Sequence, residues 1–155
     1  MKKHTSFKYR IYPTKEQQKV LIKTFGCCRF VWNNILDWRS KEYSLNGVKT
    51  NYTSTCKRLT KLKQEYLFLK DVSIVALQQV LRNQDVAFSN FFKGQSEYPN
   101  FKKKHGHQSF RLTDNAFRLK SNRLFLAKLK KPVKVKWSRE LPSNPSSVTI
   151  SRTPT

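Results

Sequence analysis

The first residues alternate between apolar and polar side chains, as in a strand with one buried face. Phe7, Tyr9 and Ile11 occupy every second position, and polar residues that include Lys8 and Arg10 lie between them. The pattern predicts a short strand near the N-terminus.

Two helices are predicted next. The first begins at Thr14, because Gln17 three residues later completes a capping-box pattern. Gly26 fits the position just after its last turn, where a left-handed backbone is common. The second helix runs from about residue 27 to 45 and ends near Gly47.

Two further helices follow. Thr53 or Ser54 is expected to cap a third, basic helix, and an apolar connection leads from it to a fourth helix at about residues 73–92. The fourth helix has apolar residues along one side. Polar residues, Gln78 and Arg82 among them, lie along another side.

The period changes after residue 94. A flexible basic loop is expected first, and five strand-like runs separated by turn residues follow it. They lie at residues 110–112, 117–119, 124–126, 133–137 and 148–150. We therefore expect an α+β fold, in which the helices are inserted into an antiparallel β-lobe that the N-terminal strand is a candidate to join.

Charge narrows the function. The chain has 32 Lys and Arg against 9 Asp and Glu, a formal net charge of +23. Self-repulsion of this size destabilises a compact state unless a polyanion relieves it. Basic residues run from Lys2 to Arg152 rather than along one amphipathic helix, which disfavours a membrane-surface role. No apolar run approaches the ~20 residues of a membrane span, and we expect a cytoplasmic protein.

A search for catalytic chemistry finds no complete site. The nine acidic residues lie on basic helix faces or in turns, which is typical of ion-pair partners and caps rather than of a two-metal nuclease centre. His105 and His107 could hold one ion, but two ligands are an incomplete site, so a phosphate contact is favoured. Cys27, Cys28 and Cys56 are expected to be reduced core residues. No metal and no cofactor is predicted.

Lys and Arg alternate with aromatic residues in the β region, and Asp114 is the only acid between Lys102 and Arg139. Alternate residues of a strand face opposite sides, so aromatic rings can pack inward while cations form an outer phosphate-binding face. The predicted RNA or phosphate contacts are Lys8, Arg10, Arg29, Lys102, Lys103, Lys104, Arg111, Lys134 and Lys136. For Arg29, an ion pair with a nearby acid is the alternative.

Short motifs occur in order along the chain. They are FKYRIYPT (residues 7–14), RFVWN (29–33), ALQQ (76–79), NFF (90–92), FK (101–102), QSFR (108–111) and VTISRTP (148–154). Their order and spacing resemble the TnpB (OrfB) proteins of bacterial insertion sequences, which are RNA-guided DNA nucleases encoded beside, or in place of, a transposase.

The resemblance implies a split, wedge-like antiparallel β-barrel with an inserted four-helix recognition lobe. The recognition lobe would comprise residues 14–94 and the barrel residues 1–13 plus 95–155. The start of the recognition lobe, residues 14–33, also fits the helix-turn-helix label that the family carries. The nuclease domain of that family follows the last motif, so this chain is expected to be a non-catalytic, truncated N-terminal part.

The resemblance also implies which residues read the DNA that flanks the target. The segment Tyr52–Cys56 and the fourth helix around Gln78 would face this DNA. Gln can pair bidentately with adenine, and Tyr can stack or reach a phosphate. The predicted DNA contacts are Tyr52, Thr55, Cys56, Gln78, Gln79, Arg82 and Asn115. For Gln78 and Gln79, the alternative is ordinary exposed helix surface.

The function expected from the sequence is binding of structured guide RNA and target DNA by a monomer, associated with the nucleoid of a bacterium or archaeon. One alternative is a stand-alone DNA-binding repressor that uses residues 14–33 as a helix-turn-helix, which would usually bind two half-sites as a dimer. A further alternative is an enzyme whose catalytic half is not part of this sequence.

Overall fold

The first helix begins at the cap that the sequence predicts. In the computed structural model, which describes residues 5–152, the Thr14 hydroxyl accepts a hydrogen bond from the Gln17 backbone N–H at 3.2 Å. Gln17 Oε1 in turn accepts one from the Thr14 N–H at 3.0 Å. This helix, α1, spans Lys15–Asn46 and is followed by Gly47 at φ 65°, a left-handed conformation that suits glycine.

Helix α1 passes through Gly26 without interruption, so the prediction of two helices separated there is wrong. Phe25, Cys28, Val31 and Ile35 are all buried and continue one apolar stripe across the glycine. A glycine inside a helix costs only about 1 kcal/mol, whereas burying one large apolar side chain contributes about 1.5–3 kcal/mol. Residues 14–33 therefore contain no turn.

Two more α-helices complete the helical part of the described residues, which hold three rather than the expected four. The second helix is capped by Asn51, whose side-chain oxygen accepts from the Ser54 N–H at 2.9 Å. The predicted caps Thr53 and Ser54 thus lie inside the helix, because Asn is a strong N-cap residue three positions before Ser54. The elements are α2 at Tyr52–Glu65, a short 3-10 helix at Leu67–Asp71 and α3 at Ile74–Phe92.

Six short strands are present in the described residues. They are β1 (Arg10–Tyr12), β2 (Gln108–Thr113), β3 (Phe117–Lys120), β4 (Arg123–Leu126), β5 (Lys134–Lys136) and β6 (Ser147–Arg152). They form the antiparallel pairs β1–β5, β2–β6 and β3–β4. One isolated bridge between Leu124 and Val133 also joins β4 to β5.

The pairing of β1 with β5 confirms that the N-terminal strand joins the β region, although it is shorter than the alternation from Phe7 predicts. The α+β class is also confirmed. Between residues 5 and 152 the strands do not close, so the split barrel stays a prediction. So do the domain boundaries; residues 1–4 and 153–155, including the end of the last motif, lie outside the described residues.

The helices and strands meet at one seam. Helices α1 and α3 pack together, and Gln84 of α3, with 0% exposure, donates from Nε2 to the carbonyl oxygen of Trp32 at 3.0 Å. Phe110 of β2 makes an edge contact with Phe25 of α1, with ring centroids 5.1 Å apart. Strand β2 therefore lies directly beside the α1–α3 pair.

The acidic residues pair with cations as expected in three cases: Asp37 with Lys41, Asp71 with Lys23, and Asp85 with Arg39. Arg39 differs from the other paired residues because it is buried, with 3% exposure. Within the described part of the chain, no cluster of three or more His, Cys, Asp or Glu could hold a metal ion. Among the helices of that same part, none is long and apolar enough to cross a membrane.

Candidate nucleic-acid interface

A groove of about 250 Å³ opens where α1, α3 and the start of β2 meet. Four cationic side chains line it: Arg29, Lys102, Lys103 and Arg111. No Asp or Glu is among the residues that line it. We call this feature the basic groove. It brings together four of the nine side chains that the sequence predicted to contact phosphate.

Amide side chains form part of the same wall. Gln79 and Asn83 of α3 both line the basic groove, because residues four apart lie on one helix face. Gln108 of β2 contributes a third amide. Amides can donate and accept at once, so this wall is suited to base edges as well as to phosphate oxygens.

Strand geometry leaves Arg111 exposed at the edge of the basic groove. Phe110 and Leu112 are buried and Arg111 between them is exposed, as the alternation of side chains along β2 requires. Arg29 is half-buried on α1, and none of the ion pairs in the described residues involves it. The ion-pair alternative for Arg29 therefore finds no support.

The basic loop, expected from the sequence to be flexible, is hydrogen-bonded to α1 at its start. The Asn33 side chain accepts from the Lys102 N–H at 2.8 Å and donates to the Lys102 carbonyl oxygen at 3.0 Å. Trp32 Nε1 donates to the Asn100 carbonyl oxygen at 2.8 Å. Lys104 is exposed beyond the groove, and its carbonyl oxygen accepts from Gln108 at 2.6 Å.

A cysteine in the groove wall is not activated. Burial raises the pKa of Cys28 to about 12, and the Lys102 charge opposes this shift only weakly. The thiol is therefore neutral at physiological pH and is a poor nucleophile. Cys27 is also buried and free, which confirms the interpretation of this pair as core residues.

Tyr52 and Arg82, both predicted to contact DNA, lie against each other. The Arg82 guanidinium carbon is 4.2 Å from the centre of the Tyr52 ring. Burial, together with a hydrogen bond to Cys56, raises the pKa of the Tyr52 hydroxyl. Gln78 is exposed one turn before Arg82 on α3, so these residues form one surface, which we call the tyrosine–arginine surface.

Thr55 does not belong to that surface. It has 0% exposure, and its hydroxyl donates to the Tyr52 carbonyl oxygen at 2.7 Å. Its side chain therefore stabilises the first turn of α2 and cannot reach DNA. Asn115 is exposed in the turn after β2, and its side-chain oxygen accepts from the Thr113 hydroxyl at 3.1 Å.

A second basic surface lies on β1 and β5. Arg10 is directly opposite Lys136, and Tyr12 is directly opposite Lys134. All four are exposed, and Lys8 is exposed two residues before Arg10. Like charges opposite each other destabilise a strand pair, so an anion bound here would relieve the repulsion. We call this the basic strand pair.

Sequence reasoning missed Asn33, Asn83 and Gln108. Asn83 could have been found, since it is one turn after Gln79 on the predicted fourth helix. Asn33 could not, because its partner is 69 residues away and no spacing rule links the two.

The N-terminal part of the chain matches a known protein family. Residues 1–47 match the HTH_OrfB_IS605 family, described as a helix-turn-helix domain. In this chain the matched residues contain β1 and the uninterrupted α1.

Three known proteins are similar in sequence to this chain. A "Putative RNA-guided DNA endonuclease" of Streptomyces pristinaespiralis is 41% identical over 152 residues, which are 95% of this chain and 38% of that protein. InsQ of Escherichia coli K12, named in the same way, is 28% identical over 155 residues and is also covered to 38%. The virulence protein VsdF of Salmonella dublin is 37% identical over 107 residues, which are 62% of this chain and 90% of VsdF. The chain thus spans about two fifths of the two endonucleases and most of VsdF.

Proposed function

Because this chain belongs to the TnpB (OrfB) family of insertion-sequence proteins, we propose that it binds guide RNA and target DNA as the non-catalytic part of an RNA-guided nuclease. The observation that carries the proposal is the basic groove, in which four cations and no carboxylate converge from distant parts of the chain. Each phosphate neutralised by Lys or Arg releases bound counterions, and this release dominates nucleic-acid affinity.

The exposure of the groove's cations favours a polymer over an enclosed small ligand. Pockets for small molecules usually measure about 300–1,000 Å³ and bury most of the ligand. The basic groove is smaller, at about 250 Å³, and its cations Lys102, Lys103 and Arg111 are exposed rather than enclosed. Such a groove can accept a stretch of sugar-phosphate backbone while the rest of the nucleic acid stays outside.

We assign the flanking DNA to the tyrosine–arginine surface and the adjoining Gln79. Helix α3 would present Gln78, Gln79 and Arg82 together, and bidentate amide–adenine pairing would contribute about 1–3 kcal/mol of discrimination. With guide RNA and the nuclease part of the protein present, Gln78→Ala should narrow the affinity spread over targets that differ only in flanking bases. An unchanged spread would remove this surface from motif reading.

We assign RNA backbone to the basic strand pair. Its support is the unrelieved juxtaposition of Arg10 and Lys136, since neutralisation by phosphate would convert a repulsive contact into a stabilising one. The repressor alternative would need residues 14–33 to form two helices; they form part of one helix in this structure, although residues 1–47 match a family described as a helix-turn-helix domain.

The basic groove can be tested with two arginines. Arg29→Gln combined with Arg111→Gln removes two phosphate contacts, so the slope of log affinity against log salt for duplex DNA should become less negative by about 1.8. Lys61→Gln combined with Lys70→Gln lowers the net charge equally at exposed positions outside the groove. Fluorescence anisotropy with labelled RNA hairpins and DNA duplexes provides the measurement. Equal slopes for the two double variants would contradict the groove as the binding site.

A further inference from the structure

Residues 98–104, which we call the strap, run along α1 and are fastened at three points. The Tyr98 and Ser40 hydroxyls are 2.6 Å apart, Asn100 accepts from Trp32, and Lys102 pairs with Asn33. Four residues of extended chain span about 13 Å, and the seven helical positions from Ser40 to Asn33 rise about 10.5 Å. The two lengths match closely enough for the strap to follow the helix without a loop between its fastenings.

Asn33 makes the most specific of these contacts. Its amide offers one acceptor and one donor to the N–H and carbonyl of a single residue, Lys102. This is the pattern by which a neighbouring strand would satisfy that backbone. Lys102 itself is exposed, so without Asn33 its backbone groups would bond to water and the strap would gain conformational freedom.

Trp32 adds a second fastening and places the lysine charge. Its indole N–H holds Asn100, and the Lys102 ammonium lies 4.4 Å from the ring centre, within the range of a cation–π contact. The Trp32 carbonyl oxygen accepts from the fully buried Gln84 of α3. The strap is thereby connected to the helix that presents Gln79 and Asn83 to the basic groove.

We propose that Asn33 and Trp32 are positioning residues that hold Lys102 and Lys103 against the basic groove before nucleic acid arrives. Binding then does not have to order the strap, and the affinity is higher by the entropy that this ordering would cost. The proposal rests on the function proposed above, because the benefit exists only if the basic groove binds a polyanion. Neither residue has to touch the nucleic acid.

Hydrogen exchange of the Lys102 amide tests the fastening without any ligand. In the unaltered chain this amide should be protected although it lies in an exposed segment. Asn33→Ala should abolish the protection. Asn34→Ala is the matched control, because Asn34 is the next residue of α1 and its side chain donates to the Phe30 carbonyl within the helix. Protection that survives in Asn33→Ala would overturn the proposal.

Binding then tests the consequence. Asn33→Ala should weaken RNA and DNA binding about three- to tenfold, whereas Asn34→Ala should leave it unchanged. In a chain in which Lys102, Lys103 and Lys104 are all Ala, the Asn33 substitution should have no further effect, since no charge remains to be positioned. An equal loss in both backgrounds would mean that Asn33 acts in some other way and would overturn the proposal.

The outcomes separate the two proposals. Suppose that the unaltered chain binds nucleic acid, and that Asn33→Ala loses protection of the Lys102 amide but keeps its full affinity for RNA and DNA. The positioning role is then refuted, while the proposed function stands. If the unaltered chain binds neither RNA nor DNA, the proposed function fails and this inference fails with it. If Asn33→Ala does not fold, Trp32→Phe, which keeps a ring and removes the indole N–H, goes through the same measurements. Unchanged strap protection and affinity in that variant would refute the proposal.

Discussion

Gly26→Ala should stabilise the protein, and the sign of the effect tests whether α1 is continuous. Gly26 lies in the interior of Lys15–Asn46, and a Cβ added there would meet no atom within 4 Å other than the adjoining backbone of its own helix. Alanine is about 0.8–1.0 kcal/mol more favourable than glycine inside a helix. Because the added methyl group has free space, this gain should be realised almost completely. For a chain of this length, it corresponds to a rise in Tm of about 2–4 °C.

The opposite result is expected if a helix ends at Gly26. A glycine after a helix end takes the left-handed conformation, where an alanine costs about 1–2 kcal/mol. Gly47 is the internal standard, because its φ of 65° follows the true end of α1. Gly47→Ala should therefore destabilise the chain by about 1 kcal/mol.

Urea denaturation followed by circular dichroism at 222 nm gives the free energy of unfolding of each variant. Opposite signs for the two substitutions would support one continuous helix. A loss of 1 kcal/mol or more in Gly26→Ala, similar to the loss in Gly47→Ala, would refute it and restore the helix-turn-helix geometry for residues 14–33.

Three further predictions concern charge and burial. Changing Lys102, Lys103 and Lys104 together to Ala should weaken RNA and DNA binding alike while leaving Tm nearly unchanged, because Asn33 holds backbone groups; a large fall in Tm would show that these lysines serve the fold. Asp85→Ala should cost about 2 kcal/mol of unfolding free energy, because it leaves the buried Arg39 guanidinium without its carboxylate partner. Asp85→Asn, which keeps an acceptor, should cost less. Equal unfolding midpoints for these two variants would contradict this prediction. The free energy of unfolding should fall as pH rises above 9.0, the ordinary pKa of a thiol, because burial raises the pKa of Cys28 to about 12 and the thiol of the unfolded chain therefore loses its proton first. Cys28→Ala should lessen this fall. Identical profiles of stability against pH for the unaltered chain and Cys28→Ala would refute the assignment.

Local signals predicted the strands, and the helix ends at Thr14 and Gly47, well. The Thr14 cap depends on a residue three positions away, and the strands depend on side chains that alternate with period two, so both can be recognised in a short window. The break expected at Gly26 was wrong because a short window shows only the local signal. Glycine is a local signal, and it was outweighed by a buried stripe that is completed only when α3 and β2 pack against α1.

Composition determined that this chain carries a strong excess of cations, and motif order determined its family. The tertiary structure decided which cations act together. Arg29 on α1 and Arg111 on β2 line one groove with Lys102 and Lys103, whereas Lys8 and Arg10 lie on a different surface beside β5. Nothing in the spacing of these residues distinguishes the two groups.

Asn33 shows the limit most clearly. Its hydrogen bonds join residues 69 positions apart, so no periodicity, capping rule or charge run indicates them. Thr55 shows the opposite case, since a polar residue suited to contact DNA is buried in the folded chain, with 0% exposure. The amino-acid sequence alone determined which side chains could bind a polyanion. The packing of α1, α3 and the strap decided which of them are placed to do so, because long-range contacts bring together residues that the chain order keeps apart.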